Sequence, residues 1–160
     1  MVDINTLIEN GKLSKISDLE LGRYVNFLSN SYKENFEHAK MAINDFPRWS
    51  IISGYYAMHD ATKLLLAKNF RLKIDREVHA TTIIVLKEVL KDKSILQMLK
   101  LGYKEFLSFA NDLEEAKKER IKAQYYTGTA FMKREYKKRA NEFVGKDVSN
   151  YLKKMEDLTQ

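Results

Sequence analysis

Between Ile51 and Ala67, a stretch that is otherwise apolar or small, the chain places Tyr55, Tyr56, His59, Asp60 and Lys63. An imidazole changes protonation near neutral pH, a carboxylate takes up protons or fixes a cation, and a phenol donates a hydrogen bond. At helical spacing Tyr56, Asp60 and Lys63 share a side and His59 lies next to it. Tyr55 and Tyr56 point about 100° apart, so the two are expected to face different neighbours. In the plainer alternative one ring packs in the core and Asp60 is satisfied by a tyrosine hydroxyl or an arginine.

Further along, Arg120 falls on the inward side of a helix near its end, where a cation needs a partner or a cleft. It is either a structural ion pair with Asp60 or Asp112, or a phosphate contact flanked by Tyr125 and Tyr126, whose rings could stack on bases. The run Lys133-Arg134-Glu135-Tyr136-Lys137-Lys138-Arg139 is the densest basic stretch in the chain. Spread round a helix it is a solvated face or, through Lys133, Arg134 and Lys137, an RNA-backbone contact. His79 sits in the first turn of a helix, where the dipole favours the neutral ring and a core hydrogen bond over catalysis. Glu34 and His38 share a helix face without a visible partner. No Glu-x-x-His, no His-Glu-x-x-His, no glycine-rich phosphate loop and no Gly-x-Ser-x-Gly elbow occurs, so neither metal nor cofactor is expected.

The elements that must position these residues are helices. With a single proline and only six glycines, an architecture of many tight β-turns is excluded. Leu21, Val25, Leu28, Tyr32, Phe36, Ala39, Ile43 and Phe46 recur at steps of three or four, one stripe of a long helix with the capping-box spacing Ser17 to Glu20 before it. Pro47 ends that helix and opens the next, which runs to about Asn69 and is apolar nearly all round, as a central helix is. After a connector containing Arg71 and Lys73, Asp75 is the expected N-cap of a third helix with Val78, Thr82, Val85 and Val89 on one face. A fourth is expected from near Lys93 to about Tyr126, with the stripe Leu99, Tyr103, Phe106, Ala110 and Leu113. The last segment, from about Ala130, carries Met132, Tyr136, Ala140, Phe143, Val144, Val148, Tyr151, Met155 and Leu158, and Gly145 is expected to bend or interrupt it. With a short helix over Ile4 to Asn10, the expectation is a single all-α domain over 1–160. It is an antiparallel up-and-down bundle of four main helices plus a C-terminal helix at 130–159.

At 160 residues one domain can bury its own core without a staple. The absence of cysteine removes disulfides, thiolate metal sites and thiol nucleophiles, and fits a reducing compartment. No apolar run approaches the roughly 20 residues of a bilayer span. The first residues, with Asp3, lack the basic and apolar blocks of a signal peptide, so a cytoplasmic protein is expected. A net charge of +6 with 31% charged residues permits an anionic partner such as RNA without requiring one.

Tyr55-Tyr56-Ala57-Met58, followed by an alanine- and leucine-rich turn ending Leu64-Leu65-Leu66-Ala67-Lys68-Asn69, resembles the second helix of HEPN domains (higher eukaryotes and prokaryotes nucleotide-binding), in their short stand-alone archaeal and bacterial form. His79 resembles the histidine opening that family's third helix, and Arg120 with Tyr125 resembles the end of the fourth. The resemblance covers about residues 20–127. It implies a homodimeric helical bundle, often a ribonuclease toxin encoded beside a minimal nucleotidyltransferase that acts as antitoxin. In the family an arginine followed after four to six residues by a histidine activates the RNA 2′-hydroxyl and stabilises the phosphate transition state.

This sequence departs from that signature. The positions where the histidine belongs are Tyr125, Tyr126 and Thr127, no histidine follows His79, and Asp60 stands where the family often has a second-helix histidine. A tyrosine with an ordinary pKa near 10 is a poor general base at neutral pH. The expectation is therefore RNA or nucleotide binding at a dimer cleft, with a nucleotidyltransferase partner and without efficient catalysis. A non-standard endoribonuclease, in which Arg120 holds phosphate and His79 or Tyr125 moves protons, is one alternative. A structural interaction module is the other. By resemblance, Tyr125 or Tyr126 could also accept a nucleotide from the partner.

Overall fold

The computed structural model describes residues 3–90, 93–105 and 129–159. The chain is all-α: α1 (Ile4–Glu9), α2 (Asp18–Ala42), α3 (Pro47–Phe70), α4 (Val78–Val89), α5 (93–105), α6 (Thr129–Glu142) and α7 (Ser149–Thr159), with one small ribbon of β1 (Leu13–Lys15) and β2 (Leu72–Ile74). The part of the expected fourth helix beyond residue 105 lies outside the described residues.

Pro47 occupies the first turn of α3, where its missing N–H loses no bond, and Phe46 before it has left helical geometry at φ −132°. The short link makes α2 and α3 antiparallel neighbours. Leu28, Tyr32 and Ala39 of α2 are buried on the stripe that periodicity marks. Phe46 is not; α2 stops at Ala42 and the Phe46 ring stands 64% exposed. Ser17 does precede α2 as N-cap, but its hydroxyl donates to the Glu20 carboxylate at 3.1 Å instead of Glu20 reaching back to the Ser17 amide.

From Ser50 to Ala67, α3 is buried at nearly every position and packs against α2, α4, α6 and α7. Its residues Ile51, Tyr55, Met58 and Leu65 share one core with Leu86, Leu99, Phe143, Val148 and Tyr151. Three hydrogen bonds tie α7 to it. The Thr62 hydroxyl donates to the Met58 carbonyl at 2.8 Å, so the Tyr151 hydroxyl, 2.6 Å from Thr62 Oγ1, must be the donor of that pair. Lys68 and Asn69 donate to the carbonyls of Thr159 and Leu158.

Two connections differ from expectation. The segment after α3, expected only as a connector, contains a strand: Arg71 takes left-handed φ 55° to close α3, and β2 then pairs antiparallel with β1, Leu13 opposite Ile74. Leu13, Leu72 and Ile74 cover a second small core with Leu7, Leu66 and Val85. The cap of α4 is Glu77, with left-handed φ 48°, not Asp75. Asp75 and Arg76 instead direct their amides at the Lys12 carbonyl, continuing the ribbon, and Thr81 Oγ1 donates to the Arg76 carbonyl.

The helix interruption expected at Gly145 is a π-helical segment over Phe143–Val148. At about 100° per residue, the apolar positions Tyr136, Ala140 and Phe143 centre about one residue's rotation away from Val148, Tyr151, Leu152 and Met155. A π turn absorbs one extra residue. Both groups are consequently buried in the same core. Gly54 of α3 meets this segment closely; a Cβ there would lie 3.1 Å from Val148 Cγ2 and 3.3 Å from Val144 Cγ2.

Candidate functional site

The polar residues of α3 fall into two linked groups. The first centres on His79 of α4. Tyr55, fully buried, lies with its hydroxyl 2.7 Å from His79 Nδ1, and Tyr103 of α5 stacks on the same imidazole at 5.5 Å between ring centres. Contrary to the expectation from their angular separation, Tyr55 and Tyr56 both reach this neighbour: the Tyr56 ring centre is 6.2 Å from that of His79. His79 rises from α4 over the line between the two tyrosines, so residues that diverge on one helix converge on a ring from another.

His59, 2% exposed, is 5.0 Å from His79 between ring centres. Thr82 uses its hydroxyl on the Val78 carbonyl at 2.7 Å, so it accepts from His59 Nε2–H at 3.1 Å. That fixes the tautomer and leaves His59 Nδ1 buried with no hydrogen-bond partner. Burial first, then the Lys63 charge and His79, lowers the His59 pKa to about 4, against an opposing pull from Asp60 and the Val78 carbonyl. Burial and Lys63 also lower that of His79. The helix dipole is not needed to explain a neutral His79. Burial, with the neighbouring phenols, raises the Tyr55 pKa, so its hydroxyl stays protonated.

The second group centres on Asp60, 6% exposed. Its Oδ2 accepts from Ser31 at 2.6 Å and from Asn35 at 3.2 Å, and Lys63 Nζ sits 2.7 Å from Oδ1. Among the described residues its partners are thus a serine, an amide and a lysine, where a tyrosine hydroxyl or an arginine was expected. Burial, then the negative charge of Asp60, raises the nearby Tyr24 to about 12.

Asn35 leads from Asp60 into a groove between α2 and α3 with a volume of about 610 Å³, lined by Asn35, His38, Phe46, Trp49, Ile52, Ser53 and Tyr56. Phe46 and Trp49, 60% exposed, stand at one end and Tyr56, 37% exposed, at the other. His38 does have a partner: its Nδ1 lies 2.7 Å from Ser53 Oγ across the groove. Sequence reasoning missed this feature. The available signal was Trp49, Ser53 and Tyr56 at steps of four and three on one side of a helix that is otherwise greasy.

Tyr56 and His79 are therefore brought together and Asp60 heads the second group, whereas Arg120, Tyr125 and Tyr126 lie outside the described residues. Lys133, Arg134 and Lys137 are exposed on α6, while Tyr136 between them is buried. The run does divide around the helix. Arg139 pairs with Glu105 at 2.7 Å, and Arg48 from the start of α3 lies over the Tyr136 ring. Among the described residues no group of three or more histidine or acidic side chains is placed to hold a metal ion, and no helix is long and apolar enough to cross a membrane.

Compared with known proteins, the chain matches no family model, no curated protein and no solved structure.

Proposed function

We propose that this chain is a HEPN-like protein that binds RNA or a nucleotide without cleaving it efficiently. It acts in the cytoplasm as a homodimer, beside a minimal nucleotidyltransferase in a toxin–antitoxin-type pair. The observation that carries this reading is Tyr56. In a helix buried along most of its length this ring is 37% exposed, packed against His79 and lining the groove with Asn35. An accessible aromatic face beside fixed hydrogen-bonding groups suits a base.

Binding is favoured over cleavage because His79, the imidazole that packs against that ring, is a weak base in this setting. Burial and Lys63 hold His79 below the ordinary imidazole value, and its Nδ1 is engaged by the Tyr55 hydroxyl. General base catalysis needs an imidazole free to take a proton near pH 7. The exposed cations Lys133, Arg134 and Lys137 would supply backbone contacts, and Arg120 the phosphate contact that the resemblance implies.

The test is a mixed single-stranded RNA pool, scored for both retention and cleavage, with Arg120→Ala and Tyr56→Ala in parallel. Retention without cleavage, weakened in both variants and steeply reduced by salt, is the expected result. Cleavage that depends on Arg120 would replace this reading with the nuclease, His79 or Tyr125 moving the proton. Neither retention nor cleavage would leave a protein-interaction module.

A further inference from the structure

The α2–α3 groove has chemistry of its own. The Asp60 carboxylate only accepts, so the Asn35 atom 3.2 Å from it must be the amide nitrogen. The Asn35 Nδ2 also reaches Ser31. Its Oδ1 is left as an acceptor on a groove residue, matched to an N–H or amine and not to a carbonyl. His38 uses Nδ1 on Ser53, which leaves Nε2 for a ligand.

None of the lining side chains is a carboxylate, and Asp60, which Asn35 contacts, is paired with Lys63. On the flank, Arg48 and the cation-rich α6 meet at Tyr136, beside the turn of α3 that carries Trp49. The groove therefore offers aromatic faces and neutral hydrogen-bonding edges. Trp49 and Tyr56 lie seven residues apart on α3, two turns or about 10 Å along the axis. That separation is too long for one base sandwiched between the rings and allows a separate base on each.

We infer that this groove holds two successive bases of a single strand, one stacked on Tyr56 with its exocyclic amine donating to Asn35 Oδ1, the next stacked on Trp49. The inference rests on the RNA-binding reading above and adds where the bases sit and which edge is read. Adenine and cytosine present an amine; uracil presents a carbonyl.

Trp49 is the protein's single tryptophan, so its emission reports the groove directly. Full-length protein is titrated with diadenylate, diuridylate and AMP, alongside retention of the mixed RNA pool. The expected result is saturable quenching by diadenylate, weaker with AMP and diuridylate. Tyr56→Ala should weaken it by roughly 5- to 100-fold. Asn35→Ala should erase the preference for adenine over uracil, with the far-ultraviolet circular dichroism of both variants unchanged. If RNA is retained while Trp49 emission does not move, the groove assignment falls and the function stands; if neither occurs, both fall. AMP quenching as tightly as diadenylate overturns the strand form, leaving a free-nucleotide site. Emission that shifts with protein concentration alone, in step with a doubling of mass by sedimentation, makes the groove an interface between copies and overturns the proposal.

Discussion

Replacing His59 by leucine should leave the protein as stable at pH 7 as it is now, or up to about 1 kcal/mol more so, and should make it markedly more resistant to acid. Leucine has similar volume, removes the buried partnerless Nδ1, and leaves Thr82 still donating to Val78. The acid effect follows from the His59 pKa, lowered from 6.5 to about 4 chiefly by burial. Between those two values the unfolded chain binds a proton that folded His59 does not, so stability rises with pH across the window and is lost as pH falls through it. That difference amounts to about 2 kcal/mol at pH 5 and about 3 kcal/mol near pH 4. The site is almost fully buried, so solvent screening reduces this little. His79, also lowered, adds a contribution of the same sign. Asp147, raised mainly by burial, acts oppositely: the folded state takes its proton first, favouring the fold as pH drops. The Asp147 contribution is common to wild type and variant and cancels in their difference; that of His79, which packs on His59 and interacts with its charge, cancels only in part. Urea unfolding of the two proteins at half-unit steps from pH 7 to 4.5 reads the gap directly. Parallel curves would refute the assignment of the low pKa to His59. A loss above 2 kcal/mol at pH 7 would refute the claim that its Nδ1 has no partner.

The Thr62–Tyr151 pair should respond asymmetrically in the same unfolding assay. Tyr151→Phe removes a donor while Thr62 keeps its bond to Met58, and should cost about 1 kcal/mol; Thr62→Val strands the buried Tyr151 hydroxyl and should cost about 1–3 kcal/mol. Gly54→Ala should destabilise by about 1–3 kcal/mol despite alanine's better helix propensity, because the stiff β-branched Val144 and Val148 must give way; a gain in melting temperature would show that the π segment yields.

What the sequence discloses here follows the range of the forces involved. The lengths of α2 and α3 and the break at Pro47 are written in local period and backbone chemistry, and the structure has them within a few residues. The β1–β2 ribbon is invisible because three-residue strands carry no period of their own and their pairing joins Leu13 to Ile74, across most of the first half of the chain. Asp75 has the composition of a cap, but its amide is drawn into the ribbon and α4 begins later. At the site, the spacing of Tyr56, Asp60 and Lys63 is a property of one helix and is legible. Their partners Ser31, Asn35 and His79 come from other helices and are not. Trp49 and Phe46 are apolar by type, which hides that they face a groove.

The π turn at Phe143–Val148 gives the C-terminal arm the character of an ordinary α-helix that has gained one codon. An insertion elsewhere in the arm would rotate everything after it by a quarter of a circle and take Tyr151 and Met155 off α3. Here the surplus is gathered in one place, opposite Gly54, where the neighbouring helix has no side chain to collide with it. The bulge is thus where the arm's register is reset: one residue of surplus length is taken up between Phe143 and Val148 without turning Tyr151 and Met155 off the core.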